Sequence, residues 1–287
     1  MKYYNQKVKK FIKTKILFSL CLVICFVVLI NIVHATSTVI VESPFVYSFN
    51  IPGSLEASTY MENSTSPYFW ISSGGRMIIK DGVGETIQGP LSVGDPEQVN
   101  YATVNPLDTV GGLYPQNTFR LITRNTWENT EEEAYFNIVK TNLTDTPNRE
   151  GYSGLLLFSR HMDSNNLYYA GIRQDGLAII KKKIDGVYYS LIYKQVFGNY
   201  NDYNKITNPN LMPQNQWLGL RLRTTTNIDG TVDLNLMGDL TGNGDWVTLL
   251  NARDNGVGGS TLTSPGSGGI RTDYMDVKFK DFQIKKI

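Results

Sequence analysis

Cysteine is missing from everything beyond residue 25. The two cysteines, Cys21 and Cys25, both lie in an apolar leader, so no disulfide staples the rest and stability has to come from a packed core. Histidine is almost as scarce. Past the leader only His161 remains, which excludes a His/Cys zinc site and leaves little for histidine acid–base chemistry. No Glu-x-Asp-x-Glu strand occurs, the alternation that would set two carboxylates on one face at the short separation a double displacement requires. There is no 3.6-residue apolar stripe of useful length and no internal repeat. An excess of positive charge is also lacking: without residues 1–35, which hold six lysines and no acid, 21 basic residues face 26 acidic ones. That balance excludes a nucleic-acid partner, whose phosphates need a clearly basic footprint.

The leader itself is informative. Lys2, Lys7, Lys9, Lys10, Lys13 and Lys15 precede an 18-residue apolar run from Ile16 to Val33, and Val33-His34-Ala35 is a small-residue cleavage pattern. Residues 1–35 therefore read as a secretory signal peptide or an uncleaved N-terminal membrane anchor, the run being long for the first and short for the second. Neither Cys21 nor Cys25 follows the small residue a lipoprotein signal needs. The expected location is secreted or extracytoplasmic, at the cell surface if the anchor is kept, with the membrane met only through this segment. The remainder, 36–287, is expected to be one domain, because about 250 residues can bury roughly three quarters of their unfolded surface.

What is present is strand chemistry. The stretch from Gly154 to Tyr193 (GLLLFSR, NLYYAGIR, LAIIKKKI, VYYSLIY) is four β-type runs separated by Asp163-Ser-Asn-Asn166, Asp175-Gly176 and Asp185-Gly186. Asp-Gly between such runs signals tight hairpins, because both central residues of the favoured turn need positive φ. Two-residue loops at both Asp-Gly pairs would set Arg173 opposite Ala178, Tyr169 opposite Lys182 and Lys182 opposite Tyr189. Tyr169, Arg173, Lys182 and Tyr189 would then share one face.

Around the meander, Thr36 to Asn50 reads as an edge strand broken by Pro44, and short β pieces lie at Tyr68 to Ile71 and Arg76 to Lys80. Residues 96–117 read as a long surface loop and Asn199 to Gln216 as another; the acidic Glu128 to Glu133 reads as a solvated connection. Trp217 to Arg223 alternates cleanly, with Leu218, Leu220 and Leu222 toward a core and Trp217, Arg221 and Arg223 away from it. About a dozen such strands at 8 to 15 residue spacing imply a sandwich or barrel.

The order GLLLFSR, NLYYAGIR-QDG, KKKIDG-VYYSL, QWLGLRLR, a strand reaching Asp239 with Trp246 after it, and a final GGIR…VKFKDFQI resembles the concanavalin A-like lectin/glucanase superfamily, including its laminin-G-like jelly rolls. The resemblance covers roughly Arg120 to Ile284. It implies an all-β jelly-roll sandwich of two antiparallel sheets that binds carbohydrate. Arginine placement adds a chemical hint: Arg120 and Arg124 share a strand face, Arg160 and Arg173 end strands, and Arg221 and Arg223 flank Trp217. Guanidinium forks take carboxylate or sulfate and aromatic faces stack on sugars, so an acidic polysaccharide suits such a surface. The candidate ligand contacts are Tyr169, Arg173, Lys182, Tyr189, Arg160, Trp217 and Arg221. Catalytic residues are not assigned.

Asp239-Leu-Thr-Gly-Asn-Gly-Asp245 is half of a calcium-loop pattern, with Asp239, Asn243 and Asp245 as candidate ligands but Leu250 where the bidentate Glu belongs. An Asn-Gly hairpin turn is the competing reading. Two further function classes stay open. NLYYAGIR resembles the Tyr-bearing strand of alginate lyases, which would make the protein a polysaccharide lyase or other carbohydrate-active enzyme, although the matching Gln-x-His and Arg-Thr-Glu strands are missing. The other class is a structural cell-surface domain that meets protein rather than glycan.

Overall fold

A computed structural model describes residues 39–199 and 201–287. The expected signal peptide or anchor, its expected cleavage site and the first residues of the expected edge strand lie outside the described residues. Among the described residues no helix is long and apolar enough to cross a membrane.

Among the described residues sixteen strands build two antiparallel sheets, the all-β jelly-roll sandwich expected from the sequence. The N-terminal part supplies β1 (Phe45–Tyr47), β2 (Gly53–Glu56), β3 (Phe69–Ser73), β4 (Arg76–Lys80) and β5 (Val83–Thr86). β6 (Phe119–Trp127) and β7 (Thr130–Thr141) follow. The meander is β8 (Gly154–Asp163), β9 (Asn166–Arg173), β10 (Leu177–Ile184) and β11 (Val187–Gln195). β12 (Trp217–Thr226), β13 (Val232–Asp239), β14 (Val247–Asp254), β15 (Gly266–Thr272) and β16 (Met275–Lys286) complete the chain. The nine-stranded sheet runs β14-β13-β12-β7-β16-β5-β4-β2, with β1 added beside β16; the seven-stranded sheet runs β11-β10-β9-β8-β15-β6-β3.

Two expected loops are structured. Residues 96–117 hold a helix, α1 (Pro96–Val104), started by Pro96 in its first turn and by Asp95, whose side chain accepts from the Glu97 amide. Its hydrophobic pattern is too weak to show in sequence, since only Tyr101 is buried. Glu131, Glu132 and Glu133 lie inside β7 rather than in a loop, because cations on adjacent strands match the outward pair. Arg221 reaches Glu133 at 2.6 Å, and Arg223 and Lys285 reach Glu131 at 2.8 and 2.6 Å. Glu132 points inward, where it accepts from the Gly269 amide at 2.6 Å, and burial pushes its carboxyl well up.

Alternation places the core. Leu218, Leu220 and Leu222 of β12 are fully buried and pair across the sheet with Phe136, Ala134 and Glu132 of β7 and with Leu236 and Gly238 of β13. The other sheet contributes Leu155, Leu157, Ala170, Ile172, Ala178 and Ile180. An aromatic cluster closes one end, where Phe45, Phe69 and Phe282 meet with centroids 5.5–6.3 Å apart in tilted or edge-on geometry.

The meander register differs from the expected one by a single residue. At Ile184–Val187 the loop is the expected two-residue turn, with Asp185 and Gly186 at φ 49° and 82°. At Arg173–Leu177 the loop has three residues. Gly176 alone takes positive φ, its amide donates to Arg173 O, and the Asp175 carboxylate accepts from the Leu177 amide. The extra residue pairs Ala178 with Ile172, Lys182 with Tyr168 and Lys181 with Tyr169. Tyr169 and Lys182 therefore face opposite sides of the sheet.

Lys182 is a core residue, not a groove residue. Its ammonium donates to Val257 O and Gly259 O, each at 3.0 Å, and pairs with Asp254 of the opposite sheet at 2.9 Å, both side chains being fully buried. Asp254 also accepts from the Tyr168 hydroxyl and from the amides of Gly256 and Val257. Burial alone would raise the Asp254 carboxyl; those donors and Lys182 hold it below its ordinary value.

Two stability outcomes follow from this packing. Leu220→Ala should cost about 2 to 5 kcal/mol and Arg223→Ala no more than about 0.5 kcal/mol, measured by denaturant unfolding. Lys182→Ala should cost roughly 3 to 5 kcal/mol by stranding a buried carboxylate, and the joint change of Lys182 and Asp254 to apolar residues should cost much less than the single. Because the folded Asp254 pKa lies below its unfolded value, its contribution is complete above about pH 4 and is lost as pH falls through the folded value. The acid limb of the stability curve should flatten in the joint variant.

Candidate functional site: a cationic groove on the seven-stranded sheet

Strands that are half exposed usually alternate, but β8, β9 and β10 carry apolar side chains on both faces. Their outward set, Leu156 and Phe158 on β8, Leu167 and Tyr169 on β9 and Ile179 on β10, joins Ile122 of β6 in a second cluster separate from the main core. Ile122, Phe158, Leu167 and Tyr169 of this cluster line the floor of an open groove of about 1080 Å³ on the outer face of the seven-stranded sheet. Trp70 of β3 lies at one side, its indole N–H donating to Ser58 O at 2.9 Å. Tyr60 and Met61 form the rim there, and the β8–β9 hairpin tip with Met162, Asp163 and Ser164 forms the rim opposite.

Cations are set into this floor by strand alternation. Arg120 and Arg124 share the outward face of β6 with Ile122 between them, Arg271 points out from β15, and Lys183 points out from β10. Arg271 stands directly opposite Arg120 in the ladder. Its Nε donates to Asp273 at 2.8 and 3.0 Å. Arg120 donates to Ser73 Oγ at 3.1 Å, and no carboxylate among the described residues lies within ion-pair reach of it.

Tyr188 of β11 projects over the groove, half exposed and edge-on to Tyr169 at 5.9 Å, with the Lys183 ammonium 4.7 Å from its ring centre. Burial would raise its hydroxyl, but Arg271 and Lys183 both lie close and hydrogen-bond it, holding it below the ordinary tyrosine range. His161 lines the same groove against Phe158, and burial pushes its imidazole down to about 4, so it is neutral at neutral pH.

Of the seven contacts expected from sequence, Tyr169 lines this groove; the other six are elsewhere. Lys182 and its neighbour Tyr189 turn inward, the Tyr189 ring lying where a Cβ on Gly258 would sit 2.4 Å away. Arg160 is buried at a positive-φ position and donates to Glu128 O, Leu262 O, Asn129 Oδ1 and Thr226 Oγ1, so it ties loops together. Arg173 is held by the Asp175 carboxylate in its own turn. Trp217 and Arg221 belong to the outer face of the other sheet, where Lys280 sits 4.9 Å from the Trp217 ring and Arg221 4.0 Å from that of Trp246, with Glu133 paired to Arg221. Sequence reasoning missed Trp70, Lys183, Tyr188 and Arg271 as site residues. The non-alternating apolar runs of β8 to β10 were the available signal, since a strand apolar on both sides has to cover both.

The Asp239 loop is a turn built around its own carboxylate. Asp239 is fully buried and accepts from the amides of Gly242 and Gly244 at 2.8 Å and from the Tyr135 hydroxyl at 3.1 Å. Asn243 and Asp245 bond each other through Nδ2 and Oδ2 at 2.8 Å. The Asp239 carboxylate, already taken up by N–H and O–H donors, does not fit a calcium ion, which needs those lone pairs. Among the described residues no three His, Cys, Asp or Glu side chains cluster to hold a metal. Asp239→Ala should therefore destabilise by roughly 1 to 3 kcal/mol through the amides it orphans, with chelator and calcium leaving the wild-type Tm unchanged. A chelator-induced fall in Tm that Asp239→Ala abolishes would assign calcium to the loop instead.

Neither any protein-family model nor any curated protein matches the chain. Solved structures do. A carbohydrate-binding module, CBM66, from Bacillus subtilis is 13% identical with a TM-score of 0.42, covering 59% of this chain and 82% of that one. A Bacillus subtilis protein of unknown function with a galectin-like fold is 10% identical with a TM-score of 0.43, covering 76% and 89%. The calcium-bound exoplasmic/lumenal domain of VIP36 is 9% identical with a TM-score of 0.45, covering 82% and 90%. At these identities the likeness is confined to sandwich architecture.

Proposed function

We propose that this chain is an exported carbohydrate-binding protein that holds a polysaccharide in the groove on the outer face of its seven-stranded sheet. The observation that carries the reading is the pairing of an aromatic and aliphatic floor with polar groups fixed on strands in one open groove of about 1080 Å³. That volume is at the top of the range for small-ligand pockets, which suits several sugar units better than one. Trp70 and Tyr188, the latter packed on the nearly buried Tyr169, offer ring surface to the apolar faces of sugars, and the surrounding donors suit hydroxyl and acidic substituents. Calcium has no part in this reading, because the Asp239 loop uses its oxygens internally.

A second reading, polysaccharide lyase, draws on Tyr188. A phenol whose proton is loosened by Arg271 and Lys183 can, as phenolate, take the proton beside a uronate carboxylate; the neighbouring glycosidic C–O bond then breaks and its oxygen leaves as a hydroxyl by taking that proton back from the phenol. The product would be an unsaturated uronate with new ultraviolet absorbance.

One screen tests both. Retention on a glycan panel should fall roughly tenfold or more in Trp70→Ala, the loss expected of an aromatic anchor worth about 1.4 kcal/mol or more, while Trp217→Ala on the other sheet retains binding. Unchanged Tm in both variants keeps the comparison clean. New absorbance on a polyuronate, lost in Tyr188→Phe, would make the protein a lyase. Retention indifferent to Trp70 would move the site off this groove, and a protein that neither binds nor cleaves would be a structural surface domain.

A further inference from the structure

The groove holds more positive charge than its own acids answer. Arg120 and Arg271 are direct cross-strand neighbours on its floor, an arrangement that is repulsive unless something negative lies between or beneath them. Beneath, Asp273 is nearly fully buried and receives Arg271 through Nε, which leaves the outer edge of that guanidinium facing Tyr188 and the groove. Arg120 has no carboxylate within ion-pair distance: its hydrogen-bond partner is the neutral Ser73 hydroxyl, and burial and Arg271 disfavour its charge more than the more distant Asp273 restores it. The rim acid, Asp163, is committed to its own hairpin, accepting from the Asn165 amide at 2.6 Å and from Asn166 Nδ2 at 3.1 Å. Lys183 adds a further cation from β10, its ammonium donating to Ser164 O at 2.8 Å. All this occurs in a domain whose overall charge is acidic, with 21 basic and 26 acidic residues past residue 35.

Two guanidinium forks fixed side by side on paired strands, one of them without a carboxylate, are suited to one flat or tetrahedral oxyanion taken by several N–H donors at once. Resting on the glycan-binding reading above, we infer that the polymer is anionic, each recognised unit carrying a carboxylate or a sulfate ester that seats between Arg120 and Arg271 while its sugar ring lies on the aromatic floor. The same geometry makes Arg120 the residue that separates acidic from neutral glycans: with it, a neutral sugar leaves a desolvated cation unanswered, which is a penalty rather than an indifferent contact.

The test is affinity electrophoresis of the protein through polygalacturonate, alginate, hyaluronan, heparin and dextran sulfate, with dextran, xylan and laminarin as neutral counterparts. We expect retention by an acidic polymer and none by the neutral set, and at least a tenfold weakening in Arg120→Gln at unchanged Tm. Arg253→Gln, which removes the same charge from an exposed pair with Asp233 on the other sheet, should bind as wild type. Retention by polyuronates alone assigns carboxylate, and by dextran sulfate or heparin alone assigns sulfate. Equal retention by neutral polymers that Trp70→Ala weakens and Arg120→Gln does not would overturn the anionic ligand and leave the groove in place. Equal losses in Arg120→Gln and Arg253→Gln would overturn it as diffuse charge attraction. Retention by no polymer would overturn both this inference and the glycan-binding reading.

Discussion

An ammonium buried between two sheets has to be matched by a carboxylate, and the Lys182–Asp254 contact is the constraint from which the outer face of the meander follows. With Lys182 committed inward, alternation sends Lys181 and Lys183 outward, and the neighbouring strands follow with Tyr169 on one side and Tyr188 on the other. Asp254 in turn collects the Tyr168 hydroxyl and two amides of the following loop, so the pair also fixes the chain that returns toward β15. The three-residue turn at Gln174–Gly176 is the local device that permits this register. A two-residue turn would place Lys182 on the other face and leave Asp254 buried without its cation.

The two outer faces show the same residue types put to different ends. On the nine-stranded sheet, arginine and lysine meet glutamate directly across the ladder, aromatic rings are capped by cations, and little charge is left over. On the seven-stranded sheet the arginines oppose one another and the space between the rims is open. A stability argument accounts for the first surface completely. On the second, Asp273 beneath the pair answers Arg271 directly, and Arg120 is left over an apolar floor with a neutral hydroxyl as its hydrogen-bond partner.

The fold was legible because its signals are local. Hairpin loops, the alternation of Leu218, Leu220 and Leu222 and the spacing of turn residues all act within a few positions, and they led to the two-sheet sandwich. The helix α1 was not legible, having one buried residue and no stripe. The site was only partly legible, for a different reason. Tyr169 was placed in it, but its partners on the expected face depended on the length of one loop, and Asp175-Gly176 is compatible with a two-residue or a three-residue turn. Trp70 and Arg271 come from strands 201 positions apart that meet the meander only through β15 and β6, and nothing near either residue in sequence announces that meeting. Arg221 and Trp217 are attractive by composition, yet Glu131 and Glu133, which answer the charge of Arg221, read as loop residues in sequence and hide that pairing.

The floor of the groove is carried by paired strands rather than by loops, and this has a consequence for the time course of recognition. Side chains on a hydrogen-bonded ladder are already ordered, so a polymer arriving there spends its own flexibility and little of the protein's. Encounter rates should then vary little from one sugar chain to another, being set by diffusion and long-range charge, while the discriminating contacts express themselves in how long each chain stays. On the glycan-binding reading proposed above, short residence at many equivalent units would let the molecule move along a repetitive polymer without leaving it.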